Sequence, residues 1–187
     1  MFCIHCGHQM ADGSKFCTDC GKQQSSQPTE QAVWVFTATR RYSLFKTDAC
    51  NIIFLKDRLV LAYLTGERQK TESAKVAADI KAQGLGFFKG SAAMMSYWAD
   101  YSKKYYTMDI NAILAEDPLN QVILYSMISQ IRFECYESGD SESNASGGDL
   151  LIQIQGGEML KFTHASPGDK QIKNILTSLF GYKLKYK

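Results

Sequence analysis

Four of the six cysteines fall within the first twenty residues, as Cys3-Ile4-His5-Cys6-Gly7 and Cys17-Thr18-Asp19-Cys20-Gly21, with ten residues between the pairs. Two residues between cysteines let a tight turn aim both thiolates at one point, and two such turns close a tetrahedral four-sulfur shell with Zn–S bonds of about 2.3 Å. This paired spacing is a zinc signature. The expected ligands are Cys3, Cys6, Cys17 and Cys20, around one structural Zn2+ per chain. Four thiolates leave no coordination position open for a water or a substrate, which argues against a catalytic metal. Gly7 and Gly21 follow the second cysteine of each pair, where the turn calls for positive φ and backbone N–H groups are expected to face sulfur. Disulfides are the competing use of four cysteines, and a thioredoxin-type redox pair would need a βαβ context that is missing. His5 and His8 are expected to be solvated, since the thiolates complete the shell.

The knuckles and the Asp12-Gly13-Ser14-Lys15-Phe16 lead into the second pair resemble the short zinc ribbon found at the start of many bacterial and archaeal proteins. A module of about two dozen residues buries no core of its own, so metal binding is in effect its folding free energy. Residues 1–31 carry two lysines against three acidic residues, and a four-thiolate zinc centre adds a formal charge of about minus two, the wrong sign for phosphate. The whole chain has a formal net charge of +2. That field is too weak for duplex binding by charge alone. Nucleic-acid association through the ribbon within a larger complex is kept as the alternative function.

Residues 1–22 are expected to form the ribbon and residues 23–31 a flexible linker, because Gln23-Gln24-Ser25-Ser26-Gln27-Pro28-Thr29-Glu30-Gln31 holds no large apolar side chain. A linker of that kind implies no fixed ribbon position. From Ala32 the texture is strand-like: Val33 to Thr37, Arg40 to Phe45, Ile52 to Leu55 and Leu59 to Leu64. The last two runs flank Lys56-Asp57-Arg58 and read as a hairpin whose continuous apolar character suits burial on both faces. Helix formers dominate residues 71–116. Strand patterns resume at Gln121 to Tyr125, Ile128 to Tyr136, Leu150 to Gln155 and Met159 to Thr163, with an acidic Ser/Gly-rich loop over Ser138 to Gly148. The chain closes on an amphipathic helix, with Ser166 at its N-cap, Pro167 at its first position, Ile172, Ile175, Leu176 and Leu179 on one stripe, and Gly181 at its C-cap.

About eight strands and one terminal helix give an α+β outline, and the segments Asn51 to Val60 and Tyr125 to Phe133 with the Gly-Tyr-Lys-Leu end resemble bacterial PH-like and GRAM-like domains. The whole chain resembles prokaryotic proteins that join a zinc ribbon to such a domain. The resemblance implies a PH-like roll over residues 32–187 whose open end is plugged by the last helix, here carrying a helical insert at 71–116. Arg40, Arg41 and Lys46 lie near the first strand turn, where PH domains hold phosphoinositides.

Within the insert, Met94, Trp98, Tyr101, Tyr105 and Met108 recur at helical spacing and read as a packing face. Phe87, Phe88, Tyr97 and Tyr106 lie off that stripe and are the candidate partner surface. Ala78, Ala82, Gly86 and Gly90, four apart, read as a small-residue ridge for a neighbouring helix. Gly84-Leu85-Gly86-Phe87-Phe88-Lys89-Gly90 follows a helix where phosphate fingerprints require a strand, so nucleotide binding is set aside. His164 reads as a surface residue, Cys50 and Cys135 as small buried thiols, and Lys183, Lys185 and Lys187 as a solvated basic tail. Nothing assembles a nucleophile, a base and an orienting group, so no enzyme is expected. No basic and apolar leader follows Met1, which points to the cytoplasm. The expectation is a non-enzymatic binding or adaptor protein, with a protein partner or a membrane surface as its target.

Overall fold

The computed structural model describes residues 2–3, 5–11, 14–22, 31–136, 147–165 and 170–186. The linker residues 23–30, residues 137–146 with most of the expected acidic loop, and the cap at 166–169 lie outside them; Gly147 and Gly148, expected in that loop, open a strand. Among the described residues the strands are β1 Trp34–Arg41, β2 Thr47–Phe54, β3 Arg58–Leu64, β4 Gln121–Leu124, β5 Ile128–Tyr136, β6 Gly147–Ile154, β7 Met159–His164 and β8 Leu184–Tyr186. They form one sheet in the order β4-β3-β2-β1-β7-β6-β5-β8. Every pairing is antiparallel except β5 with β8. The architecture is α+β, with an N-terminal zinc ribbon ahead of the sheet.

Alternation decides which face each residue serves. Phe36 and Ala38, then Cys50, Ile52 and Phe54, then Leu59, Leu61 and Tyr63 step along their strands by two and point into one core. Ile131 and Phe133, Leu150 and Ile152, and Leu160 and Phe162 enter the same core from the other half of the sheet. A flat sheet of this many strands, about 4.8 Å apart, would hold its outer strands too far from each other to share a core. The sheet is therefore bent, and helix α4, Lys170–Phe180, fills it with Ile172, Leu176 and Phe180. Phe180 meets Phe54 edge-on at 6.1 Å and Tyr125 at 4.6 Å. Tyr125 fixes the bend, its N–H donating to Asp57 O (2.9 Å) and its hydroxyl to Leu55 O (2.8 Å).

The β2–β3 hairpin is buried on its second face too. Ile53, Leu55, Val60 and Ala62 lie under Tyr101, Tyr105, Ile110, Ile113 and Leu114 of the insert.

Three readings change at the ends of elements. The two runs expected before the hairpin are one strand, β1, because Ala38 and Thr39 pair with Cys50 and Ala49 without a break; the chain reverses only after Arg41, where Tyr42 N donates to Lys46 O (3.0 Å). The basic tail is strand β8: Leu184 pairs with Ile131, Tyr186 stacks on Phe133 at 5.4 Å, and Lys183 Nζ donates to Tyr125 O (2.9 Å). Lys187 lies outside the described residues. His164 is buried, stacked on Phe133 at 4.5 Å with Nε2 3.1 Å from Glu134 O, since the alternation of β7 turns it inward with Phe162.

The insert starts earlier than expected. Helix α1 spans Gly66–Ala82 behind the Thr65 cap, and α2 spans Phe87–Asp100, passes into a 3-10 turn over Tyr101–Tyr106, and is followed by α3, Ile110–Glu116. The stripe from Trp98 to Tyr105 keeps its packing role across that change of pitch. Val76 is the one buried residue of α1 and Gly90 that of α2. The two helices form an arm that packs chiefly on itself, about 25 Å long. Gly90 faces Ile80, whose Cγ2 would lie 2.9 Å from an added Cβ, so the helices meet there. Of the expected ridge only Gly90 lies at this interface; Ala78, Ala82 and Gly86 are exposed, and Glu72, Val76 and Ile80 supply α1's side of it.

Candidate metal centre and exposed apolar surfaces

The ribbon's two halves repeat one local geometry. Cys3 N donates to His8 O (2.8 Å) and Gly7 N to Cys3 O (2.9 Å); Cys17 N donates to Lys22 O and Gly21 N to Cys17 O, both at 2.9 Å. Gly7 and Gly21 adopt φ of 77° and 69°, the left-handed region where a side chain crowds the backbone. Their N–H groups close the turns on carbonyl oxygens, whereas sulfur is met by other backbone N–H groups, among them His5 N, 3.4 Å from Cys3 Sγ.

These turns bring the four Sγ atoms within 4.8 Å of one another, with Cys3 and Cys20 at 3.6 Å and Cys6 and Cys17 at 3.7 Å. A tetrahedral shell with bonds of about 2.3 Å has sulfur–sulfur edges of about 3.8 Å. Disulfides need about 2.05 Å, so the spacing fits a metal and not a crosslink. Burial alone would raise the Cys3 thiol, but the N–H groups of His5 and Cys6 and the neighbouring sulfurs outweigh it and lower it to about 7. Burial raises the Cys6 and Cys20 thiols, whose protons a bound cation displaces. The four cysteines hold one structural zinc ion.

The ribbon is not free of the sheet. Phe2 packs against the cluster of Ile53, Val60 and Val122. A Cβ on Gly7 would lie 3.4 Å from both Val122 Cβ and Val122 N, and Arg58 Nη1 is 3.3 Å from His5 Nδ1. His8 is exposed as expected, but His5 is half-buried at this contact. Val122 belongs to β4, the strand at one end of the sheet order. Arg58, only 5% exposed, is a contact that the turn-like Lys56-Asp57-Arg58 gave no signal for. Gly7→Ala should cost about 1 to 2 kcal/mol of ribbon stability and lower zinc affinity correspondingly, by backbone strain at φ 77°. Competition titration with a chromogenic chelator checks this, and unchanged affinity would contradict it.

Residues 2–24 match the family model of the zinc-ribbon domain. A comparison with curated proteins finds no match for the chain.

The candidate partner residues separate into two pairs. Phe87 and Phe88, 82% and 87% exposed, sit edge-to-face at the tip of the arm. Tyr97 donates to Glu72 Oε2 (2.7 Å) and so serves the arm's own packing, whereas Tyr106, 38% exposed, accepts from Val35 N of β1 (3.2 Å) and ties the 3-10 turn to the sheet. Leu44 and Phe45, in the β1–β2 turn, are 83% and 97% exposed and escaped the sequence reading, their signal being two large apolar residues in a turn. Arg41 and Lys46 beside them are exposed. Arg40 is buried instead, donating to Lys161 O and lying over the Tyr42 and Phe162 rings, so it presents no surface charge. No helix among the described residues is long and apolar enough to cross a membrane.

Proposed function

We propose that the chain is a non-enzymatic binding protein in which a zinc-stapled, PH-like roll carries the helical arm as its contact element. The exposed Phe87–Phe88 pair carries this reading. Two large aromatics at the tip of an arm that buries one residue per helix cost solvation without serving the core, and such side chains commonly anchor contacts. The rolled sheet and the plug formed by α4 support the PH-like assignment. The ribbon's role in this reading is structural, seated on β4. A cytoplasmic setting agrees with six cysteines that include a four-thiolate site.

The test is association of the intact protein with its cellular partner or membrane, compared with the double variant F87S/F88S. The variant should stay folded and zinc-loaded while losing association; association at the wild-type level would overturn the reading. The nucleic-acid alternative predicts the reverse emphasis, with binding carried by the ribbon. Affinity for random duplex or single-stranded DNA is expected to be weaker than about 10 μM at physiological salt. Tight, steeply salt-dependent binding in a fluorescence titration would favour that alternative.

A further inference from the structure

We infer that the tip of the α1–α2 arm is an interfacial anchor for anionic lipid surfaces. The inference rests on the reading of the arm as the contact element and names its target. From Lys81 to Ala99 the chain carries only two charged side chains, Lys81 and Lys89, and both are positive and exposed. Between them and beyond them the surface is apolar: Phe87, Phe88 and Met95 are 82%, 87% and 74% exposed. Beside them a groove of about 520 Å³ runs along the arm between Ile80 and Met94. Apolar side chains with Lys81 and Lys89 beside them, the nearest carboxylates in the chain being the exposed Asp79 and Asp100 that bound the stretch, complement a surface that is itself apolar below and anionic above.

Geometry sets the mode of contact. Helix α2 has 14 residues, about 21 Å long, against a hydrocarbon core of about 30 Å, so the arm inserts its tip or lies at the interface and does not span. The arm projects from the sheet through its base, where Arg68 Nε donates to the Tyr101 hydroxyl (3.1 Å), which leaves the far end free to approach a planar surface. A second copy of the chain complements this surface poorly. It would bring the same two lysines and, from the same stretch, no carboxylate to meet them.

The experiment is co-sedimentation of the intact, zinc-loaded protein with vesicles of phosphatidylcholine alone or mixed equally with phosphatidylglycerol. Wild type should partition at least about tenfold more strongly onto the mixed vesicles, F87S/F88S should lose about tenfold or more of that partitioning, and K81E/K89E should lose the preference for the anionic lipid. All four positions are exposed, so thermal midpoints close to that of wild type verify that the variants remain folded. No partitioning by wild type overturns the inference. It leaves the binding-protein reading standing if F87S/F88S still abolishes association with a cellular protein. Loss of vesicle binding in L44S/F45S with none in F87S/F88S also overturns it, and assigns the anchor to the β1–β2 turn. Concentration-dependent dimerisation by light scattering, abolished by F87S/F88S without vesicle binding, overturns it in favour of self-association.

Discussion

Stripping zinc from the intact chain should lower the thermal midpoint of the β domain as well as unfold the ribbon. Two modules joined by a flexible linker would melt separately, and chelation would leave the larger transition unchanged. The structure places Phe2, His5 and Gly7 on Val122, Arg58 and the cluster around Val60, so unfolding the ribbon uncovers those side chains. Structural zinc contributes about 10 to 16 kcal/mol in small modules, enough that metal removal unfolds the ribbon outright. The coupled loss is smaller. Uncovering one aromatic and part of a valine costs about 1 to 3 kcal/mol, and in a chain of this size each kcal/mol moves the midpoint by about 2 to 4 °C. Calorimetry with and without a chelator should therefore show the main transition falling by several degrees, and Cys17→Ser should reproduce that fall without chelator. An unmoved transition would mean that the ribbon contact adds nothing to the domain.

That contact also gives the ribbon a reason to exist in a protein whose zinc has no open coordination position. Strand β4 ends the sheet, and an uncovered edge of apolar residues such as Val122 and Ile123 is a template for pairing with other chains. A module of about two dozen residues, held closed by four thiolates, meets that edge at Val122. The opposite end of the sheet is finished differently, by the short strand β8 with Lys185 exposed on it. Short strands and lysines are the usual way to blunt an edge.

What the sequence made legible follows from the range of the interactions involved. Cys3, Cys6, Cys17 and Cys20 could be read directly, because metal geometry is written in local spacing. The β2–β3 hairpin and the stripe of α4 could be read because alternation and helical period repeat over several residues. The seat of the ribbon could not. It depends on Phe2, His5 and Gly7 meeting Val122 and Arg58, more than fifty residues away, and no local pattern encodes such a meeting. The fate of His164 and of the closing Lys183-Leu184-Lys185 was hidden for the same reason, since both are decided by pairing with β5 and β6. The small-residue ridge misled because spacing identifies a face of a helix but not which neighbour it meets.

The second large effect is expected at the base of the arm, where one carboxylate gathers three donors. Glu116 Oε1 accepts from Arg68 and from Lys104 Nζ, each at 2.7 Å, and Oε2 accepts from the Tyr105 hydroxyl at 2.9 Å. Arg68 also donates to the Glu116 carbonyl and to the Tyr101 hydroxyl and forms an ion pair with Glu72 at 3.8 Å, so a single guanidinium ties α1 to the 3-10 turn and to α3. The Arg68 and Glu116 side chains are 14% and 11% exposed, which makes the pair costly to break, because the surviving charge stays desolvated without its partner. Removing one member of such a pair costs about 3 to 5 kcal/mol, and Lys104, 32% exposed, recovers part of that by turning to water. Glu116→Ala should therefore destabilise the chain by about 2 to 4 kcal/mol. Glu116→Gln, which still accepts from Tyr105, should cost about half as much. Urea unfolding measures both. Hydrogen exchange supplies the discriminating readout: amides of α1 and α2 should lose protection while those of β5 to β7 keep theirs, since the cluster ties α1 to the part of the insert that packs on the sheet, and β5 to β7 lie away from it. A loss below about 1 kcal/mol would show that the cluster behaves as a solvated surface network, whose pairs seldom contribute more.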